Sequence, residues 1–114
     1  MPLPKARKNG KKSVSCPVET TIAAIGGRWK VLVIHYLLEG PKRFGELSRL
    51  LKGISARTLT RQLRELEACG VIHREVHQQI PPMVEYSLTP SGKQLEPILL
   101  AMHAWGETYG VREE

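Results

Sequence analysis

The sequence predicts a mainly α-helical domain that carries one small β-hairpin. Apolar residues recur at the three- and four-residue spacing of helices over several segments, whereas over residues 71–88 they alternate as in strands. Glycine and proline separate these segments. The positive charge is concentrated in residues 28–64, which contain nine basic and two acidic residues. A single domain with a surface suited to a polyanion is therefore expected, although a solvated basic surface would give the same composition.

The two ends of the chain are expected to lie outside this domain. Residues 1–15 contain five basic and no acidic residues and few that could enter a core, which predicts a flexible basic arm. The folded domain should cover residues 16–110, followed by a short tail over 111–114. Whether the arm contacts phosphate groups or is an inert terminus stays open.

Two helices are expected at the start of the domain. The first should begin at Cys16, because Pro17 suits the first helical position and a Gly-Gly pair at 26–27 would stop it. Residues 28–39 have little polar surface and should form a central, buried helix. His35 is therefore expected to be a core residue rather than a metal ligand.

A helix-turn-helix is expected next. A third helix over residues 45–51 should direct Leu47, Leu50 and Leu51 inward. A fourth helix should cover residues 55–69, starting at a serine that is a good N-cap. Two helices joined by a short turn form the unit that places its second helix in the major groove of DNA.

The fourth helix has two chemically different faces. At 100° per residue, three leucines share one face and three arginines lie near the opposite one. Arginine can bond the edge of guanine and glutamine that of adenine, while other polar side chains contact phosphate. The candidate base contacts are Arg57, Arg61 and Gln62, and the candidate phosphate contacts are Ser55, Thr58, Arg64, Lys42, Arg43 and Arg49.

A β-hairpin should follow the helix-turn-helix. Its strands are expected over residues 71–77 and 84–88, joined by a loop over 78–83. A hairpin in this position makes the winged version of the motif, a winged helix-turn-helix domain. In the loop, Gln78 and Gln79 are candidate DNA contacts.

The last helix is expected to start at Thr89, and Pro97 should kink or split it. Beyond the proline, apolar and aromatic side chains recur at spacings of four, three and four, which is a short heptad-like seam. The first helix has an apolar stripe of its own. The seam consists of Ile98, Met102, Trp105 and Tyr109, and the stripe of Val18, Ile22 and Ile25.

Many ordered segments of the sequence resemble the HxlR family of winged-helix regulators, which are relatives of the MarR type. The segments are Cys16-Pro-Val-Glu19, Ile25-Gly-Gly-Arg-Trp-Lys30, Leu38-Glu-Gly-Pro-Lys-Arg-Phe44, Gly53-Ile-Ser55, Leu59-Thr-Arg-Gln-Leu-Arg-Glu-Leu-Glu67, Pro81-Pro82, Val84-Glu-Tyr-Ser-Leu-Thr89 and Gly92. The resemblance implies a sequence-specific transcriptional regulator that binds a pseudo-palindromic operator as a homodimer. It also implies dimerisation through the first and last helices, hence through the stripe and the seam. No apolar signal core follows the basic N-terminus, so the chain is expected in the cytoplasm.

The resemblance also assigns a candidate role to Cys16. In some members of the family the cysteine before Pro-Val-Glu senses oxidants or electrophiles. The positive end of a helix dipole favours a thiolate, which is the nucleophilic form of cysteine. The alternative, that Cys16 is merely a small capping residue, stays open. Cys69, at the end of the fourth helix, is expected to be structural.

The sequence departs from the family in the wing. Met83 stands where members often carry a basic residue after Pro-Pro, so the loop has no lysine or arginine. The wing is therefore expected to contribute Gln78, Gln79 and backbone groups rather than an arginine. His77 stands where an aromatic residue is common.

Other classes of function find no support in the sequence. It contains no glycine-rich phosphate loop, paired-carboxylate motif or nucleophile elbow, so no enzyme and no cofactor are expected. His73 and His77 would lie about 13 Å apart along a strand, so no metal site is expected. No apolar run approaches the roughly 20 residues that span a membrane. The alternative function is a winged-helix interaction module that does not bind DNA.

Overall fold

The structure, a computed structural model, describes residues 16–110. The predicted arm over 1–15 and tail over 111–114 lie outside the described residues. The predicted mainly helical fold with a small antiparallel sheet is confirmed. The elements are α1 (Pro17–Ile25), α2 (Arg28–Leu37), β1 (Lys42–Arg43), α3 (Phe44–Leu50), α4 (Ala56–Ala68), β2 (Ile72–His77), β3 (Met83–Leu88), α5 (Pro90–Lys93) and α6 (Glu96–Tyr109).

The core lies where α2, α3 and α4 meet the sheet. The largest side chains that are fully buried come from these four parts: Val33, Ile34, Leu47, Leu51, Leu59, Leu66 and Ile72. One side of α2 is central, as predicted, and carries the buried Val33 and Ile34. The opposite side is not covered, so His35 is exposed there and the prediction that it is a core residue was wrong. Leu50, predicted to face inward with its two neighbours, is 38% exposed at the end of α3.

The sheet has three antiparallel strands in the order β1-β3-β2. The short strand β1 was not predicted, and it pairs Lys42 with Tyr86 and Arg43 with Glu85 of β3. Side chains on a strand alternate between the two faces of the sheet. Ile72 is buried, so its face is the inner one, and β2 presents Arg74 and Val76 on that same face.

The predicted break in the last helix is confirmed, and it precedes Pro97. The chain leaves α5 at Lys93 and starts α6 at Glu96, so Pro97 lies in the first turn of α6. There the missing N–H of proline removes no hydrogen bond of the helix. No residue of α6 is buried, and every residue from 101 to 110 is exposed.

None of the helices within residues 16–110 combines the length and the apolar composition that crossing a membrane requires.

Gly92 in α5 lies tightly against Val71, the residue before β2. A Cβ atom at this position would lie 2.2 Å from the backbone oxygen of Val71. Thr89 fixes that geometry, because its Oγ1 accepts the N–H of Gly92 at 3.1 Å and donates to the Val71 oxygen at 3.0 Å. We expect Gly92→Ala to lower the free energy of unfolding by about 1–3 kcal/mol, the usual cost of overpacking.

Thermal or urea unfolding followed by circular dichroism measures this change. Gly45→Ala is the matched control, since the nearest atom to its Cβ is the flexible end of Arg49 at 3.6 Å. In a helix, alanine in place of glycine should stabilise by up to about 1 kcal/mol. Equal stabilities for Gly92→Ala and the wild-type chain would contradict the tight contact.

Candidate nucleic-acid interface

The start of α4 is held by its N-cap. Ser55 Oγ accepts the backbone N–H of Thr58 at 3.1 Å and donates to Thr58 Oγ1 at 2.9 Å. Ser55 has the extended backbone of an N-cap residue, and its hydroxyl satisfies one of the free N–H groups at the helix start, that of Thr58. Two of the candidate phosphate contacts therefore have a structural role already, and both side chains remain at the protein surface.

The two faces of α4 are separated as the 100° spacing predicts. Leu59, Leu63 and Leu66 are at most 2% exposed. The three arginines on the opposite side are exposed, and with Ala56 and Thr60 they line one shallow groove along the helix. We call this the arginine face; it consists of Arg57, Arg61 and Arg64. Three guanidinium groups on one helical face can form forked hydrogen bonds to a base edge or to phosphate oxygens.

A single ion pair ties α4 to the helices behind it. Lys30 Nζ lies 2.9 Å from Glu65 Oε1 and also donates to the backbone oxygen of Ala23 at 3.4 Å. The hydrogen bond and the charge of Lys30 lower the pKa of Glu65, with a smaller effect from the nearby charge of Arg61. The Glu65 carboxylate is thus held by Lys30, although its side chain is exposed.

Arg74 extends the basic surface from α4 onto the sheet. It lines a second groove together with Thr60, Leu63, Arg64, Tyr86 and the acidic Glu67. Arg74 was not among the predicted contacts. Its position two residues after Ile72 in the predicted strand indicates that both side chains lie on the same face of the sheet. The basic surface therefore runs from α4 to the base of the hairpin.

The other predicted contacts do not all join this surface. Gln62 follows Arg61 by about 100° around the helix and is half-buried, so it does not line the arginine groove. Lys42 lies 3.4 Å from Glu39, and these two line a separate depression with Glu46 and Arg49. The carboxylates in that depression offset its positive charge.

Arg43 serves the fold as well as the surface. Its backbone N–H donates to Glu46 Oε1 at 2.9 Å, which caps the start of α3, while its side chain is exposed.

The hairpin has an acidic outer face. On this face Glu75 of β2 lies opposite Glu85 of β3. The Nε2 atom of His77 lies 3.0 Å from Glu85 Oε1 and 3.9 Å from Glu75 Oε1. This contact gives a physical role to His77, whose departure from an aromatic residue the sequence left without explanation. The loop residues Gln78 and Gln79 are exposed.

A separate apolar surface lies on α1 and α6. Exposed fractions there run from 39% to 69% for Val18, Ile22, Ile98, Met102, Trp105 and Tyr109. We call these six residues the apolar face. Ile25 does not belong to it, because it is 8% exposed and is part of the core. The Trp105 and Tyr109 rings lie 5.3 Å apart and give the face a continuous aromatic area.

The two cysteines are both free thiols. Cys16 is half-buried at the N-cap of α1, and its side chain makes no capping hydrogen bond. Cys69 is exposed at the end of α4, so the expectation that it packs inside the fold was wrong. Within residues 16–110, no cluster of histidine, cysteine and acidic residues has the geometry of a metal site.

Comparison with known protein families gives a match to most of the chain. The family model described as HxlR-like helix-turn-helix matches residues 24–114. The chain is also 57% identical over 94 residues to an uncharacterised HTH-type transcriptional regulator, YdeP of Bacillus subtilis (strain 168). That match covers 82% of this chain and 73% of YdeP.

Solved structures agree with this match. The redox regulator HypR in its oxidised form is similar with a TM-score of 0.79 and 52% identity, over 87% of this chain and 100% of that chain. The reduced form of the transcriptional regulator YodB from B. subtilis gives 0.78 and 34%, over 89% and 100%. These relatives are transcriptional regulators rather than enzymes, and their structures confirm the winged helix-turn-helix fold.

Proposed function

This chain belongs to the HxlR-like helix-turn-helix family of transcriptional regulators, and from that premise we propose that it binds a pseudo-palindromic DNA operator as a homodimer in the cytoplasm. The observation that carries the proposal is the arginine face of α4. Three exposed guanidinium groups lie opposite three buried leucines, so the helix is fixed to the core while its basic side stays free. Such a helix can enter the major groove and read base edges there.

Within this proposal the basic residues have different tasks. Arg57 and Arg61 lie in the first turns of α4, which lead a recognition helix into the groove, so they contact bases. Arg64 lies further along the helix beside Arg74, and this pair contacts the phosphate backbone. Ser55, Thr58 and Arg43 add contacts at the start of the helix-turn-helix, and Gln78 and Gln79 add contacts from the wing.

The test is binding of the purified chain to the intergenic DNA upstream of its own gene, by fluorescence anisotropy over a range of salt concentrations. Scrambled DNA of the same composition is the control. Contacts to phosphate weaken steeply with salt on any sequence, whereas base contacts preserve a preference between the two DNAs. A preference at physiological salt supports the proposal. A folded dimer that binds neither DNA would favour an interaction module instead.

The apolar face of α1 and α6 supports the homodimer. Six large apolar side chains exposed on two helices are a common sign of an association site. A second copy presents the same face, so a two-fold interface can cover both. A two-fold dimer then repeats the arginine face, and half-sites about 34–36 Å apart would match it.

An oxidant response at Cys16 is part of the proposal. Its thiol is half-buried at the start of α1, a helix of the proposed dimer interface, and is free of any capping bond. The redox regulator HypR, which is 52% identical, supports the same reading. Oxidation of two thiols to a disulfide would pass two electrons and two protons to the oxidant and link the copies, with Cys16 or the exposed Cys69 of the second copy as partner.

We expect diamide to weaken operator binding of the wild-type chain by about tenfold or more, within the usual range of coupling between sites. Cys16→Ser should abolish this response, and Cys69→Ser is the matched control that should keep it if Cys16 pairs with Cys16. Anisotropy together with non-reducing gel electrophoresis measures both binding and cross-linking. A diamide response that persists in Cys16→Ser would contradict the role of Cys16.

A further inference from the structure

The tip of the hairpin is apolar and carries no positive charge. Between Glu75 and Val84 the sequence contains no lysine or arginine. Ile80 is 100% exposed, and Pro81 and Pro82 beside it are exposed too. Within residues 16–110, three other large apolar side chains are exposed outside the apolar face and Leu100: Leu50, Val76 and Ile80. Two of these three lie on the hairpin.

The hairpin is also polarised across its two faces. Its outer face has Glu75 and Glu85, which repel the phosphate backbone. On its inner face, Arg74 pairs with Tyr86 and then Val76 pairs with Val84, nearer the tip. A surface that begins with the arginine face therefore becomes apolar toward the loop, whereas on the outer face Arg43 of β1 lies opposite Glu85.

We propose that Ile80, supported by Pro81 and Pro82, is an apolar wedge that enters the minor groove of the operator. Isoleucine and proline are among the side chains that partly unstack base steps from the minor groove and bend the duplex, and glutamine hydrogen-bonds the acceptors there. Gln78 and Gln79 lie directly before the wedge. The inference rests on the proposed function, and it gives the wing an apolar contact where the loop contains no lysine or arginine.

The reach of the hairpin fits this position. From Arg74 at its base to Ile80 at its tip, six residues extend up to about 20 Å at 3.3 Å per residue. Along B-DNA the neighbouring minor groove lies about 17 Å from the major groove, half of a 34–36 Å turn. With α4 in the major groove, this length is sufficient for the tip to reach a minor groove. The two prolines restrict the backbone of the tip, which lowers the entropy lost on insertion.

The experiment compares Ile80→Ser with Ile80→Leu in the full chain on the operator duplex. Anisotropy gives affinity and its salt dependence, and energy transfer between dyes on the two DNA ends gives the bend. Because burial of one isoleucine is lost in each copy of the dimer, Ile80→Ser should raise Kd about a hundredfold or more. It should reduce the bend and leave the slope of log K against log salt unchanged. Ile80→Leu should restore affinity and bend.

Arg74→Ala is the matched comparison, because loss of one phosphate contact in each copy of the dimer should reduce that salt slope by about two while the bend persists. Three results would overturn the wedge. These are equal Kd and bend for Ile80→Ser and the wild-type chain, a changed salt slope for Ile80→Ser, and dissociation of the Ile80→Ser dimer in sedimentation, which would make the tip a protein contact. A wild-type chain that shows no preference for its operator over scrambled DNA would contradict the proposed function itself. A wild-type chain that shows this preference, with Ile80 variants that behave like it, would contradict only the wedge.

Discussion

Replacing Arg57 and Arg61 together with alanine is expected to weaken operator binding by about three orders of magnitude or more, because the dimer loses four forked contacts to bases and each is worth about 1–3 kcal/mol. Both side chains are exposed and line the groove along α4, so the fold should be unaffected. The measurement is anisotropy on operator and scrambled DNA at physiological salt. Circular dichroism and sedimentation check that the variant stays folded and dimeric.

Two further variants show whether charge or geometry is responsible. Lysine at both positions keeps the charge but removes the planar fork. This pair should retain binding to scrambled DNA and lose the preference for the operator. Lys93→Ala removes a charge on α5, away from the arginine face, and should change neither. Unchanged operator binding by the double alanine variant would mean that the reading surface lies elsewhere.

Replacing Trp105 with alanine is expected to dissociate the proposed homodimer. Trp105 is 65% exposed and lies beside Tyr109 in the middle of the apolar face. Buried tryptophans at interface centres commonly cost 2 kcal/mol or more on truncation. In a two-fold interface the loss occurs twice, so the dimer constant should weaken by about a thousandfold.

Sedimentation velocity at micromolar chain measures the dimer directly. Leu50→Ala is the control, since Leu50 is an exposed apolar residue on α3, outside the apolar face. It should leave the dimer intact. A Trp105→Ala chain that sediments as a dimer would move the interface away from α6. The same variant should bind operator DNA weakly, because one recognition helix cannot span both half-sites.

The parts of the fold that depend on local periodicity could be predicted from the sequence. On α4, the spacing of Leu59, Leu63 and Leu66 fixes the inner face, and the outer position of the arginines follows from it. The N-caps Ser55 and Thr89 also depend on neighbours in sequence only, and both bonds are present.

The parts that depend on distant partners could not be predicted. Strand β1 is two residues long and exists because Tyr86 and Glu85 lie beside it, more than forty residues further along the chain. The exposure of His35 depends on which side of α2 the other helices cover. The place of Arg74 in the candidate interface required the register of the hairpin against α4, which alternation alone does not give.

The exposed C-terminal half of α6 makes the helical content of that segment depend on the concentration of the chain. Residues 101–109 form more than two helical turns without contributing a single buried side chain. Isolated helices shorter than about 12–15 residues are only marginally stable in water. In the proposed homodimer, the free energy that keeps this segment helical therefore comes from association, and the helical fraction rises with the amount of chain present. At a low expression level, the monomer would therefore predominate and the C-terminal half of α6 would be partly unfolded.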